Sequence, residues 1–306
     1  MERKVKSLSS ILTRVISCND QSAVICRKDG VDISWKKFLL DVSKLYQILC
    51  EEHVSKKYLV YCKSSYQFSV ALFSVWQTGS VCVLPPNNSK EVLKKFDGYV
   101  GAFITDQLDG DCGMKKIAPL QNDPECGNIR FKDIPENEIR LELFTSGTTG
   151  ERKCIKKTIA NLSLELQDLY ERFGTMLTNA RTFSTVSHQH IYGLLHKILL
   201  PVCTDRLFVD ETYFYPEKLI ADMNDGGDRN VLISGPAHLK LLPELVNLRG
   251  MTKYCNAIFS SGSLLDTESA KKISLQSGIR PIEVLGSTET GGVAWRIQGE
   301  SEESKT

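Results

Sequence analysis

Apolar and polar positions along the chain change period in a regular order. Residues 23–26 are a short β-prone run, Lys28-Asp29-Gly30 makes a turn and 31–34 returns, which predicts a hairpin. Ser34 then stands as the N-cap of a helix whose apolar residues Leu39, Val42, Leu45, Tyr46 and Leu49 keep helical spacing. Residues 58–62 read as a buried strand, and 65–78 as a helix with Phe68, Ala71, Leu72 and Val75 on one face, stopped by Gly79. A strand at 80–84, a break at Pro85-Pro86-Asn87-Asn88, a short helix at 90–96 and a strand at 101–105 follow. Residues 106–128, rich in Asp, Gly, Asn and Pro, read as loop and as a boundary between a first subdomain (1–136) and a second (137–306).

The second part repeats the alternation. A helix over 161–177 places Leu162, Leu166, Leu169 and Phe173 on one side, and strands are predicted at 182–186, 206–209, 231–234 and from 257. Helices fall at 215–223, 237–245 and 267–275, and two more strands at 282–285 and 293–297, before a polar tail. Strands alternating with helices imply an α/β fold with parallel strands covered on both faces.

Composition narrows the class. The chain has 306 residues, 42% hydrophobic and 25% charged, which is enough for a well-buried core. A net charge of +1 gives no support to a nucleic-acid or anionic-membrane surface. The ten cysteines include no C-x-x-C pair, so a structural zinc or redox motif is not indicated. Arg14 interrupts the apolar run at the N-terminus, which makes a poor signal peptide, and no apolar run is long enough for a membrane span. The cysteines are expected to be reduced, mostly buried thiols of a cytoplasmic protein.

Candidate chemistry concentrates in a few stretches. Residues 141–158 read LELFTSGTTGERKCIKKT. A β-prone run delivers Thr145, Ser146, Gly147, Thr148, Thr149 and Gly150, and a basic run with Lys153 leaves. Glycines let backbone amides close around an anion, hydroxyls add donors and lysine adds charge, a combination suited to a polyphosphate. The spacing is not that of the P-loop, and strand signals on both sides predict a strand–loop–strand hairpin. Residues 187–193, SHQHIYG, follow a strand, where open α/β sheets place ligands. His188, His190 and His196 could be ordinary polar residues or metal ligands, but His188 and His190 would diverge on either a strand or a helix. Gly262, Ser263 and Leu264 form a small-residue turn after a strand. In Leu285-Gly286-Ser287-Thr288-Glu289-Thr290-Gly291-Gly292 a strand delivers hydroxyls and one carboxylate among glycines, the ligand types that a nucleotide's phosphate and magnesium require.

The order T-S-G-T-T-G followed by Lys153 resembles the phosphate loop of the adenylate-forming superfamily, which includes the acyl-CoA synthetases. H-I-Y-G at 190–193 resembles its acyl-pocket motif, S-S-G-S-L-L at 260–265 its adenine segment, and G-S-T-E-T-G at 286–291 its Y-G-x-T-E motif. The resemblance implies the large N-terminal domain of an acyl-CoA synthetase, with two packed mixed or parallel sheets and helices on both faces. It implies ATP-dependent activation of a carboxylic acid as acyl-adenylate, with Mg²⁺, and transfer to the thiol of CoA or of a phosphopantetheine carrier protein. In that scheme Thr145–Gly150 and Lys153 hold the β- and γ-phosphates. Gly262, Ser263, Leu264, Leu285, Gly286 and Ser287 line the nucleotide, Thr288 binds the α-phosphate, Glu289 binds the metal, and His190 shapes the acyl pocket. Leu285 stands where the family usually has Tyr, and Arg152 where Pro is common. Family members continue into a small mobile domain that carries a catalytic lysine, which has no counterpart here, so turnover is expected to need a partner that supplies it. The alternative is a regulatory or degenerate member of the fold that binds a nucleotide without catalysis.

Overall fold

The computed structural model describes residues 5–18, 21–51, 56–110, 112–120, 130–145, 153–225 and 229–298. The chain forms two compact units, Met1–Leu166 with Cys203–Asp205, and Gln167–Val202 with Arg206–Thr306.

The first unit begins with helix α1 (Ile11–Ser17) and the hairpin β1 (Val24–Lys28) and β2 (Val31–Ser34). Asp29 and Gly30 both take positive φ at its tip, as the turn residues predict. Helix α2 (Trp35–Glu51) starts where Ser34 Oγ accepts the Lys37 amide at 3.3 Å. Strand β3 (Lys57–Val60), helix α3 (Ser65–Gln77), strand β4 (Val81–Leu84), helix α4 (Lys90–Leu93) and strands β5 (Ala102–Ile104), β6 (Lys116–Ile117), β7 (Ile139–Thr145) and β8 (Lys153–Thr158) follow. Their order is β6-β5-β3-β4-β7-β8, parallel except for the final antiparallel pair. Helices α2 and α3 pack through edge-to-face rings of Trp35, Phe38, Tyr66, Phe73 and Trp76. The other apolar cluster joins Leu59, Val83 and Phe103 of the strands to Leu93 and Phe96.

Helix α5 (Ile159–Phe173) leads to strand β9 (Ala180–Ser184). Next comes a continuous helical stretch, α6 (Ile191–Gly193), a π-turn (Leu194–Leu199) and α7 (Leu200–Cys203). Strand β10 (Phe208–Val209), helix α8 (Pro216–Asn224), strand β11 (Arg229–Ser234), helix α9 (Pro236–Leu245), strand β12 (Cys255–Ser260), helix α10 (Thr267–Ser277) and strands β13 (Ile282–Ser287) and β14 (Gly291–Ile297) complete the second unit. Its strands run β14-β13-β12-β11-β9-β10, all parallel except β14. Phe183, Leu232 and Ile258 on one sheet face pack against Leu219, Leu239 and Ile273 of the helices. The α/β class with helix-covered mixed sheets is therefore as expected.

The 180–184 strand begins before the predicted 182–186, and helix α5 ends at Phe173 instead of 177. Gly174 marks that end, since a Cβ there would lie 2.5 Å from the Tyr170 carbonyl oxygen. Cys26, Cys62, Cys82, Cys112, Cys203 and Cys255 are buried free thiols. Among the described residues no helix is long and apolar enough to cross a membrane, and no group of three metal-ligating side chains occurs.

Candidate functional site

In the first unit, β7 and β8 form the predicted hairpin, with Leu143 paired to Ile155, Phe144 to Cys154 and Thr145 to Lys153. Thr145 and Lys153 thus stand opposite each other at the mouth of the phosphate-loop candidate. Ser146, Gly147, Thr148, Thr149 and Gly150 lie outside the described residues.

The base of this hairpin is held by a buried charge that sequence reading missed. The Glu142 side chain on β7 is 3% exposed, and Lys57 Nζ donates to both its oxygens at 2.8 and 2.9 Å. Tyr99 OH donates to it at 2.8 Å. Burial works against the Lys57 charge, but the bonds to Glu142 and Tyr99 outweigh it and raise the ammonium pKa above its usual value. Phe144 packs edge-on against Phe96 at 4.9 Å and Tyr99 at 5.8 Å, and Trp76 Nε1 donates to the Arg140 carbonyl at 2.8 Å. The strand that enters the loop is thus fixed through the side chains of Glu142 and Phe144 and through its backbone at Arg140.

In the second unit, the parallel strands bring their carboxyl ends to one edge. After β9 the chain runs through His188 and Gln189, both buried, to His190, whose extended backbone precedes α6. The His190 carbonyl accepts the Leu194 amide at 2.8 Å, and its ring makes no capping bond. Although His190 is exposed, nearby atoms partly desolvate the ring and lower its pKa, which favours the neutral form. Gly193 is required by contact, since a Cβ there would fall 2.1 Å from the Ser187 carbonyl oxygen. That close approach folds the His190 segment back onto the helix start.

Beyond β11, Gly235 sits against Val186 from the end of β9 and against the Ser261 carbonyl from the end of β12. Thr185 Oγ1 and Ser234 Oγ are hydrogen-bonded at 2.7 Å. The turn after β12 contains Gly262 at φ +93, with Ser263 and Leu264 exposed. Asp266 then caps α10 by accepting the Ser269 amide at 2.9 Å. That bond, with the nearby Lys240, holds its carboxyl well below the usual range.

Strands β13 and β14 form a hairpin with Thr288–Thr290 at its tip. Gly286 faces Gly292, and a Cβ on Gly286 would meet the Gly291 carbonyl oxygen at 2.3 Å. Ser287 and Thr290 lock the turn: their hydroxyls are 3.0 Å apart, and each accepts the other's amide at 3.2–3.3 Å. Thr288 is half-buried and Glu289 exposed at the tip, while Leu285 keeps 65% of its surface exposed, an aliphatic plate beside the turn.

Glu283 joins the two turns, a role that its position in an apolar strand did not suggest. It is buried, and its carboxylate accepts the Leu265 amide at 2.7 Å, Arg296 Nε at 2.7 Å and Gln298 Nε2 at 2.9 Å. Gln298 also donates to the Leu265 carbonyl at 3.1 Å. The Gly262–Leu264 turn and the Leu285–Glu289 turn are thereby held to one frame. The second unit brings His190, Gly262, Ser263, Leu264, Leu285, Gly286, Ser287, Thr288 and Glu289 to the carboxyl ends of one parallel sheet, the usual ligand edge of such folds.

No protein-family model matches the chain. It is similar to the peroxisomal OPC-8:0-CoA ligase 1 of Arabidopsis thaliana, with 26% identity over 199 residues, 56% of this chain and 36% of that protein. Among solved structures it is similar to ATP-bound MatB from Rhodopseudomonas palustris, with a TM-score of 0.82, 17% identity, and coverage of 96% of this chain and 62% of that one. It is also similar to o-succinylbenzoate CoA synthetase (MenE) from Bacillus subtilis in complex with the acyl-adenylate intermediate OSB-AMP. There the TM-score is 0.83 at 16% identity, covering 97% of this chain and 62% of that one. The chain therefore spans about a third of the length of the curated relative. The comparisons bear out the resemblance to the adenylate-forming superfamily and the fold of its large domain.

Proposed function

We propose, from the premise that this chain has the large-domain fold of the adenylate-forming enzymes, that it activates a fatty or other acyl acid with ATP. The product is an acyl-adenylate, and the acyl group passes to the thiol of CoA or of a phosphopantetheine carrier protein. The observation that carries this reading is the Glu283 frame. It holds the Gly262–Leu264 and Leu285–Glu289 turns at the carboxyl ends of a parallel sheet, in a fold whose neighbours were solved with ATP and with an acyl-adenylate.

In this reading the adenine rests on Leu285 and against Gly262, Ser263 and Leu264. Glycine at 286 leaves room for the nucleotide, Ser287 shapes the turn, and Thr288 donates its hydroxyl to an α-phosphate oxygen. Glu289 holds a magnesium ion, which when bound offsets phosphate charge; one exposed carboxylate suits an ion whose other ligands are phosphate oxygens and water. Thr145, Ser146, Gly147, Thr148, Thr149, Gly150 and Lys153 take the β- and γ-phosphates with amides, hydroxyls and one ammonium. The reaction joins two anions, so its barrier is repulsion and alignment, and fixed donors answer both. His190, in its neutral form, orients the attacking carboxylate by hydrogen bonding without a charge of its own. Buried free thiols suit a reducing, cytoplasmic setting.

ATP–pyrophosphate exchange with a panel of carboxylic acids tests this. Acid-dependent exchange supports adenylation. Saturable ATP binding with no exchange for any acid, also when a lysine-bearing small domain is supplied as a second chain, would assign the protein to nucleotide binding without catalysis.

A further inference from the structure

A narrow cavity lies within the second unit between the sheet and the 191–203 helical stretch. Phe173, Ile233 and Phe259 line it together with Thr182, Arg206 and His196, and it has room for about one water-sized group. His196 is 6% exposed. Its Nδ1 lies 3.0 Å from the Tyr192 carbonyl and so carries the proton that it donates there. Its Nε2 is then a lone-pair acceptor, and no described group donates to it. Burial keeps the ring neutral, with a pKa lowered to about 4. The adjacent Lys197, equally enclosed, is satisfied by the carbonyls of Asp210 and Glu211 at 3.2 and 3.0 Å and by Thr212 Oγ1 at 2.9 Å. The fold completes the bonds of the buried cation and leaves the neighbouring imidazole acceptor facing a mostly apolar space that Thr182 and Arg206 also border. An enclosed acceptor with nothing to accept is costly, and such groups mark places that a ligand or a water completes. The same helical stretch follows His190, so His196 lies further along it, beyond the π-turn's start.

We infer that His196 is a specificity-determining residue: the cavity receives the far end of the acyl group, and that end carries a hydroxyl that donates to Nε2. This rests on the acid-activating reading above and names its substrate class, a hydroxy acid in place of a plain alkanoic acid. A plain methyl end fills the space and leaves Nε2 unbonded. A lone bound water offers the same hydroxyl chemistry from a second source, and the test separates the two.

Matched medium-length acids that end in methyl or in hydroxyl are compared by ATP–pyrophosphate exchange with the wild type, His196→Leu and His196→Gln. The wild type should favour the hydroxy acid by roughly ten-fold or more in kcat/KM. His196→Leu should remove or reverse that preference, and His196→Gln, which keeps an acceptor, should retain most of it. A preference of the wild type for the methyl acid, or a ratio untouched by His196→Leu, means that the cavity holds water alone and overturns the inference. If no acid supports exchange, the acid-activating reading fails, and thermal-shift titration with the same pairs still decides the cavity. Greater stabilisation by the hydroxy acid, lost in His196→Leu, supports a hydroxyl site; equal or absent shifts overturn it.

Discussion

The two hairpins that carry the strongest motifs are built on opposite plans. The β7–β8 hairpin of the first unit is anchored at its base, where Glu142 is bound by Lys57 and Tyr99, while residues 146–152 lie outside the described residues. The β13–β14 hairpin of the second unit is ordered at its tip, where Ser287 and Thr290 bond each other across a short turn, and Glu283 ties its base to the preceding turn. In the proposed function the first hairpin takes a polyphosphate, which calls for firmly placed strand ends. A turn that presents one hydroxyl and one carboxylate needs those two groups set beforehand. In the proposed function the same residue types, Ser, Thr and Gly, would serve two different mechanical designs.

The largest effect should come from filling the close contact at the second tip. Gly286→Val places a branched side chain against the Gly291 carbonyl, where even a Cβ would sit at 2.3 Å. It should cost about 3 kcal/mol or more, read by denaturant unfolding, because backbone and not a flexible side chain is in the way. At the other hairpin, Glu142→Leu leaves Lys57 beside an apolar group and should cost about 2–3 kcal/mol; adding Lys57→Met should recover much of that. If the double variant is no better than the single one, the ion pair is not what anchors β7.

The two units should also part by pH. His196 in the second unit has its pKa lowered from 6.5 to about 4, so the unfolded chain takes up its proton first as pH falls. Its contribution is complete above about 6.5 and is lost as the pH drops from there to about 4, by roughly 3 kcal/mol. Lys57 in the first unit has a raised pKa, so its contribution is complete below its unfolded value of 10.5 and is lost as pH rises beyond it. Acid should therefore loosen the second unit first and strong alkali the first, and His196→Leu should flatten only the acid limb. Hydrogen exchange resolved by segment reads both.

Much of this design was legible in the chain. The hydroxyl-rich run between β-prone segments implied the β7–β8 hairpin, and Ser34 and Gly79 marked helix ends through their own chemistry. Gly193 and Gly286 were readable as motif glycines, and the structure supplies the reason, a carbonyl oxygen in the space of a Cβ. The supporting polar residues were not legible. Glu283 sits in P-I-E-V and Glu142 in L-E-L-F, where alternation suggests a solvent-facing carboxylate; their partners Leu265, Arg296, Lys57 and Tyr99 are distant in sequence. His196 and Lys197 interrupt an apolar run, which was a signal that something polar was being enclosed, but periodicity alone could not say what completes it.

The smallest expected effect on folding is the most informative about function. Glu289→Gln, at an exposed tip, should change stability by less than about 0.5 kcal/mol. It should nevertheless weaken nucleotide binding when magnesium is present and leave metal-free binding almost unchanged if Glu289 holds the metal as proposed.

Isothermal titration of the chain with ATP, with and without Mg²⁺, tests the proposed nucleotide site. The account predicts saturable binding near one site per chain, tighter with the metal, and a metal-dependent part that disappears in Glu289→Gln. No saturable binding under either condition, or a magnesium effect that survives in Glu289→Gln, would contradict it.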